Sequence, residues 1–463
     1  MKETETVQKN DVVHIPRKVV FEKLFNSFNY GNLGMFVGAG FSKAVIGDEF
    51  HSALSWFELI KTTSNSLEIA FPTDDQLVGV SLPELATSLC KSLAINKGIT
   101  YSEAKSLFKN EICKLTNWLP TEEQTNKFKE IMEILNPSWI ITTNYDLVLE
   151  TLLTGKCKSL GPNNYLSSPR NIVPIYHFHG TRLDPDSIIV TQEDYIPLFR
   201  PNEYRQSKLA MTIRESTTLI LGYGLGDMNV LSAVDWSKNI YTKENEYPHE
   251  IVQVVWTSSP QEEAYTDENG NLIIEMSDLE VFLNELILFI VEEQEKYDSK
   301  LKTLDMLIGE FEAGEEEWIQ KFIDDRELRL KILKVLSEFE YHMISSYIPF
   351  FTLCINKIWE TTSVNGAFDA YNKYLNVLLD IIVNYDYKKM PPRLFQIIAQ
   401  SLDRVLYYVD RSPTTRTFGN SWSASDSWHD RKNTIPKDMI TELYEYARQN
   451  LLSGLIRISK DLI

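Results

Sequence analysis

The sequence predicts an α/β protein: a doubly wound parallel sheet in the first part of the chain, followed by an all-α region. Three observations lead there. Short apolar runs separated by helical patterns fill the first half, as expected of strands covered on both faces. Several of those runs end in glycine or a polar residue, where ligand loops sit in open α/β sheets. Beyond about residue 295 the strand-like runs stop and helical periodicity takes over.

Taken in order, Met35-Phe36-Val37 reads as a strand that runs into glycines. Trp139–Thr142, Val173–Phe178, Ile188–Val190, Thr217–Leu221 and Ile251–Trp256 read as further strands. Helical stretches such as Trp56–Thr62 and Thr125–Leu135 lie between them, and the alternation argues for a sheet with helices on both faces. In the second part, helices are expected over Trp318–Phe339, Tyr347–Glu360, Ala367–Tyr385, Leu394–Val409 and Asp438–Ile458. The acidic stretch Gly309–Glu317 reads as a solvated linker or a first helical turn. Ser412–Thr434, rich in Ser, Thr and Trp with Pro413 and Gly419, reads as a long loop. At 463 residues the chain exceeds one small core, so two domains are expected, over 1–295 and 296–463.

Composition narrows the function. A net charge of −19 repels a phosphate backbone, which disfavours general nucleic-acid binding but leaves room for a local dinucleotide pocket. No apolar run approaches the roughly 20 residues a bilayer span needs. The first residues, Met1-Lys2-Glu3-Thr4-Glu5-Thr6, lack an apolar signal core, so a cytoplasmic protein is expected. The four cysteines, Cys90, Cys113, Cys157 and Cys354, include no CxxC pair; they read as reduced thiols packed as small hydrophobes, and no metal is expected.

Four strand ends carry candidate chemistry. Gly38-Ala39-Gly40-Phe41-Ser42 follows the first strand, where glycines let the backbone approach a pyrophosphate and the next helix offers free N–H groups. The third glycine of a GxGxxG fingerprint would fall at Lys43, a departure from the dehydrogenase pattern. Thr142-Thr143-Asn144-Tyr145-Asp146 ends the second. An Asn and an Asp two residues apart there can hold ribose hydroxyls and a carboxamide, while Asp146 is also well placed to cap the helix Leu147–Leu153. His177-Phe178-His179-Gly180 ends the third: both histidines should share a face, Gly180 should leave the His179 imidazole room to meet a substrate, and no Cys or Glu ligand stands at zinc-binding spacing. Leu221-Gly222-Tyr223-Gly224-Leu225-Gly226-Asp227 ends the fourth, with Asp227 or Asn229 available to adenosine hydroxyls.

In the order GAG-x-S, T-x-N-x-D, H-G and G-x-G, these motifs resemble the NAD-binding domain of the sirtuin family. TTNYD, HFHG and GYGLGD look closest to the sirtuin-like branch found in bacterial anti-phage defence proteins. The resemblance covers roughly residues 20–295 and implies a Rossmann-like sheet with NAD⁺ as substrate. By motif it implies that Gly38, Ala39, Gly40, Phe41 and Ser42 wrap the phosphates and ribose, with Thr143, Gly180, Gly222, Tyr223, Gly224 and Asp227 completing the binding set. It implies that Asn144 orients the nicotinamide ribose and a water, that Asp146 lies near the nicotinamide amide, and that His179 is the catalytic histidine.

Protein-deacylating sirtuins carry a zinc module of two CxxC pairs and a GIPDFR-like run. This chain has neither, and Ala44–His51 stands in place of the run. Both departures turn the expectation from deacylation to hydrolysis of NAD⁺ into nicotinamide and ADP-ribose. A sirtuin-like ADP-ribosyltransferase or deacylase, and a non-catalytic dinucleotide-binding scaffold, are the alternatives. By analogy with the defence proteins, the helical region is expected to regulate the enzyme, through homo-oligomerisation, a HerA-type ATPase or a phage-derived activator.

Overall fold

A computed structural model describes residues 13–47, 53–162, 171–199, 204–223, 249–313, 315–339, 347–362 and 368–462. The chain divides into two compact units, Met1–Gln294 and Glu295–Ile463. Among the described residues no helix is long and apolar enough to cross a membrane.

The first unit is built on one nine-stranded sheet. Its strands are β1 (His14–Ile15), β2 (Leu33–Val37), β3 (Trp139–Thr142), β4 (Cys157–Leu160), β5 (Val173–His177), β6 (Thr217–Leu221), β7 (Ile251–Trp256), β8 (Ala264–Thr266) and β9 (Leu272–Met276). They lie in the order β1-β8-β9-β7-β6-β2-β3-β5-β4, parallel from β9 to β4, with antiparallel β8 and β1 at one edge. Every residue of β2, β3, β5 and β6 is buried, which is why these strands read as unbroken apolar runs. Gly34 in β2 is needed for packing: a Cβ there would fall 2.0 Å from the Trp139 ring. That ring sends its N–H to Ser216 Oγ at 3.0 Å.

Register positions the site. Val37 pairs with Thr142 on one side and with Leu221 on the other, and Thr142 pairs with His177. The last residues of four strands therefore form one row, and the four motif loops leave the sheet side by side. From β2 the chain builds to β3 on one side and later to β6 on the other, so this row lies at a topological switch point, where α/β sheets open a crevice.

A helical layer, Trp56–Ser66, Leu82–Lys97 and Tyr101–Leu115, packs around Leu59, Leu89, Phe108 and Ile112 and buries Tyr145, Ile188 and Val190 with them. Capping boxes start its helices. Glu58 N donates to Ser55 Oγ at 3.3 Å while Ser55 N donates to Glu58 Oε2 at 2.6 Å, and Thr100 with Glu103 repeats the exchange.

Four expectations need correction. Ile188–Val190 is not a strand: its side chains enter the core, but the Ile189 N–H goes to the His179 carbonyl and the Val190 N–H to Asp194, so no ladder forms. Ser412–Thr434 is not a single loop. Ser421 caps a helix over Trp422–Arg431 that buries Ala424 and Trp428; the four-residue spacing of those two is helical, and the serines between them mask it. Trp318–Phe339 is two helices, Glu315–Asp324 and Arg326–Ser337, because Asp325 leaves the helical conformation and caps the second through Leu328 N at 3.0 Å. Asp438–Ile458 likewise breaks into Lys437–Gln449 and Ser453–Ser459 at Leu451, which adopts φ +58°.

The helical unit is otherwise as the periodicity predicts. Tyr347–Thr362, Phe368–Asn384 and Pro392–Leu406 enclose a core that includes Phe350, Leu378, Ile398 and Leu402. The acidic stretch belongs to helices: Glu315, Glu316 and Glu317 form a first turn, where negative charge suits the helix dipole.

Candidate active site

The strand-end row opens onto a cavity of about 520 Å³. One wall comes from the motif loops: Ala39, Thr143, Asn144, Asp146, His179, Gly222 and Tyr223. The rest of the lining comes from the segments around the helical layer and is mostly apolar, with Leu54, Trp56, Leu59, Val80, Leu82, Pro83 and Trp118 beside Ser81 and Thr116. All four motifs converge here, as the sequence predicts. The apolar wall carries no motif of its own. Its legible signals are the Ser55–Glu58 and Ser81–Glu84 capping boxes, which start the helices at Trp56 and Leu82.

Asn144 is held at three points. Its backbone N–H donates to Thr142 Oγ1 at 3.0 Å, and that hydroxyl donates to the Val37 carbonyl at 2.9 Å. Its own carbonyl faces His177 Nδ1 at 3.1 Å, and its side-chain amide donates to Ser42 Oγ at 3.0 Å. Ser42, fully buried, in turn donates to Asp146, whose two oxygens lie at 3.0 and 3.2 Å. Asp146 Oδ1 also accepts at 3.0 Å from the N–H of Val148, the first residue of the short helix Val148–Leu152, whose N-cap position is Leu147 rather than Asp146. Burial pushes the Asp146 pKa up to about 6, against the lowering effect of the Val148 and Ser42 hydrogen bonds.

His179 lies at the end of the β5 loop, buried, with its ring 5.4 Å edge-on to Tyr195 and 5.6 Å from Phe178. Tyr195 in turn packs obliquely on Trp56 at 6.1 Å, linking the motif loops to the apolar part of the lining; nothing in its local sequence marks it. His177 does not join His179 on the cavity wall. It is buried beneath, and its Nε2 meets Glu150 Oε1 at 2.6 Å. Glu150 stands 27 residues away, a separation that hides the pair from linear spacing rules. Burial opposes a charge on either ring or carboxylate, yet their mutual hydrogen bond wins: the His177 pKa is raised and the Glu150 pKa lowered.

The glycines permit close backbone packing around the site. Gly180, at φ +92°, makes room for the Ser187 carbonyl, 2.3 Å from where its Cβ would stand. Gly38 and Gly40 allow close approach of Gly222 and Tyr223, and a Cβ on Gly222 at φ +61° would fall 2.1 Å from Phe41 N. The Gly40 N–H donates to the Gly222 carbonyl at 2.8 Å, and the Phe41 N–H to Gly38 O at 3.0 Å. These two amides of the expected pyrophosphate cradle are therefore engaged by the protein. Phe41 itself turns into the core against Phe128 and does not line the cavity. Gly224, Asp227 and Asn229 lie outside the described residues.

Residues 138–274 match the family model described as a SIR2-like domain. This part of the chain is similar to SIR2-like domains. The matched stretch runs from the start of β3 into β9, so it contains Asn144, Asp146, His179 and Gly222, while the Gly38–Ser42 loop precedes it. Over 133 residues the chain is 23% identical to "Defense-associated sirtuin 2" of Bacillus subtilis, an alignment covering 27% of this chain. The chain spans 13% of the length of that relative. Three of the four cysteines are core thiols, and Cys157, in β4, is only partly buried. Cys90, Cys113 and Cys354 are buried, and burial pushes the Cys90 thiol up to about 12 and the Cys113 thiol up to about 11.

Proposed function

We propose that this protein hydrolyses NAD⁺ to nicotinamide and ADP-ribose. The observation that supports this reading most directly is the placement of Asn144, Asp146 and His179 on one wall of one cavity within the stretch similar to SIR2-like domains. The cavity's size suits a small-molecule site, and it pairs a few fixed polar groups with a large apolar surface.

Breaking the bond between nicotinamide and ribose turns a cationic ring into a neutral leaving group, so no acid is required. What the site must supply is stabilisation of positive charge developing on the sugar, and a positioned water. Asp146, buried and facing the cavity without a cation in direct contact, suits the first task. Asn144, fixed at backbone and side chain, suits the second. His179 takes the proton as the water oxygen bonds to the anomeric carbon and the glycosidic C–N bond breaks. The Trp56–Trp118 side of the cavity shields the reaction from bulk water.

The likeness to a defence-associated sirtuin, together with the need to silence a constitutive NAD⁺ hydrolase, suggests a regulated effector of anti-phage defence acting by NAD⁺ depletion in the cytoplasm. The helical unit is then the part that controls it, through self-assembly or a partner such as a HerA-type ATPase or a phage product.

Incubation with NAD⁺, alone and with candidate activators, followed by chromatography of the products, tests the reading. Nicotinamide and ADP-ribose should appear in equal amounts. Asn144→Ala and His179→Ala should each cut turnover by about 10²–10⁴-fold while leaving the melting curve unchanged. Normal turnover in both variants sinks the assignment, and an ADP-ribosylated or deacylated product seen by mass spectrometry replaces hydrolysis with transfer.

A further inference from the structure

The cavity wall is backed by a pair that the proposed reaction does not use directly. His177 and Glu150 sit beneath the Asn144 loop, the histidine side chain fully buried and the glutamate 17% exposed. Nδ1 faces the Asn144 carbonyl at 3.1 Å and Nε2 faces Glu150 Oε1 at 2.6 Å. Both ring nitrogens therefore point at oxygen acceptors, and only the doubly protonated ring donates to both. A neutral ring would have to leave one of the two contacts as lone pair against lone pair, unless the carboxyl itself took the proton.

We propose that His177, held by Glu150, is a positioning residue: it pins the carbonyl of Asn144 and so aims the Asn144 side chain into the cavity. Three structural facts support this. Asn144 has no regular ladder to fix it, because β3 ends at Thr142. Its N–H and its side chain are already tied to Thr142 and Ser42, so the carbonyl is the remaining rotational handle of the peptide. The pair also spans elements: His177 ends β5, and Glu150 rides on the short helix Val148–Leu152, so together they clamp the β3 loop from both sides. The charged groups acting on the His177 ring are Glu150 in contact and Asp146 through space, both favouring the protonated ring against burial, which opposes it. A charge here is costly to bury, and the Glu150 contact compensates it.

The inference rests on the hydrolase reading for its kinetic arm, and it has a spectroscopic arm that does not. In the full-length chain with ¹⁵N-labelled histidine, the His177 ring should be doubly protonated at neutral pH and become neutral in Glu150→Gln. In His177→Leu the Asn144 side-chain amide resonances should shift, whereas in His177→Gln, which can still donate to the carbonyl, they should stay near their wild-type positions. With NAD⁺ as probe, His177→Leu should lower kcat by about 100-fold with KM little changed, as expected when a group is misaimed rather than lost. His177→Gln should recover a substantial part of that loss. Unmoved Asn144 resonances in His177→Leu, or wild-type kcat in that variant, overturns the positioning role. If wild type fails to consume NAD⁺ both alone and with the candidate activators, the hydrolase reading falls and the resonances alone decide this one. Should His177→Leu not fold, Glu150→Gln carries the same kinetic and spectroscopic comparison.

Discussion

Two buried carboxylates, one in each unit, sit in opposite surroundings. In the helical unit Asp380 is fully buried and met by guanidinium groups. Arg329 donates to Oδ2 through Nε at 3.0 Å and Nη2 at 2.7 Å, while Arg326 Nε, at 3.3 Å, and Arg431 Nη2 donate to Oδ1. Arg329 goes on to the Phe322 and Ile323 carbonyls at the end of the preceding helix. In the α/β unit Asp146 is 4% exposed, and its direct partners are a serine hydroxyl and one backbone N–H, with the His177 ring acting only through space. A charge compensated on every side ties helices together. A charge left facing a cavity is kept at a cost in stability, and a cationic ligand would relieve it. Only the second arrangement points to chemistry.

Three measurements can break or sharpen that contrast. The largest effect is expected at Asp380. Replacing it with Leu strands the Arg329 guanidinium, whose side chain is 4% exposed, in the core. Urea unfolding should then show a loss of about 3–5 kcal/mol. A loss below about 1 kcal/mol would mean that the cluster is solvated and the contrast false.

The next effect is a pH dependence at Asp146. The folded protein holds its proton up to about pH 6, the unfolded chain only to 3.8, so protonation favours the folded state. That contribution is complete below 3.8 and lost as pH rises through about 6. The gap corresponds to about 3 kcal/mol. Wild type should therefore lose about 3 kcal/mol relative to Asp146→Asn as pH rises from about 3.8 to neutral, nearly all of it below about pH 6. Parallel stability curves for the two proteins would show that Asp146 is well solvated.

The smallest effect is expected at Arg326, whose side chain is 60% exposed although it contacts the same Asp380. Arg326→Ala should cost no more than about 1 kcal/mol in the same unfolding assay, and the loss should shrink with added salt. A larger loss would place Arg326 in the compensated core beside Arg329.

Much of the site was legible because its chemistry sits at strand ends. An apolar run followed by TTNYD, or by HFHG, announces both a buried strand and the loop that leaves it. The misreadings share a cause. Ile188–Val190 has the composition of a strand but no neighbour to pair with, and pairing is not a local property. The serines of 421–427 obscured a helix whose buried face is set by Ala424 and Trp428. The glycines of the Gly38 and Gly222 loops were rightly marked as sites of close approach, yet what approaches each loop is the other loop.

By itself the sequence determined local facts: the buried strands that carry the motifs, the helical character of the second part, and which loops carry Asn, Asp and His. Periodicity, caps and turn residues act over a few positions and can be read along the chain. Tertiary structure alone decided that Val37, Thr142, His177 and Leu221 stand in one row, that Glu150 meets His177, and that Trp56 and Trp118 line the same cavity as the motif loops. Those outcomes depend on strand register and layer packing, in which the partners are set by the whole sheet rather than by neighbouring residues.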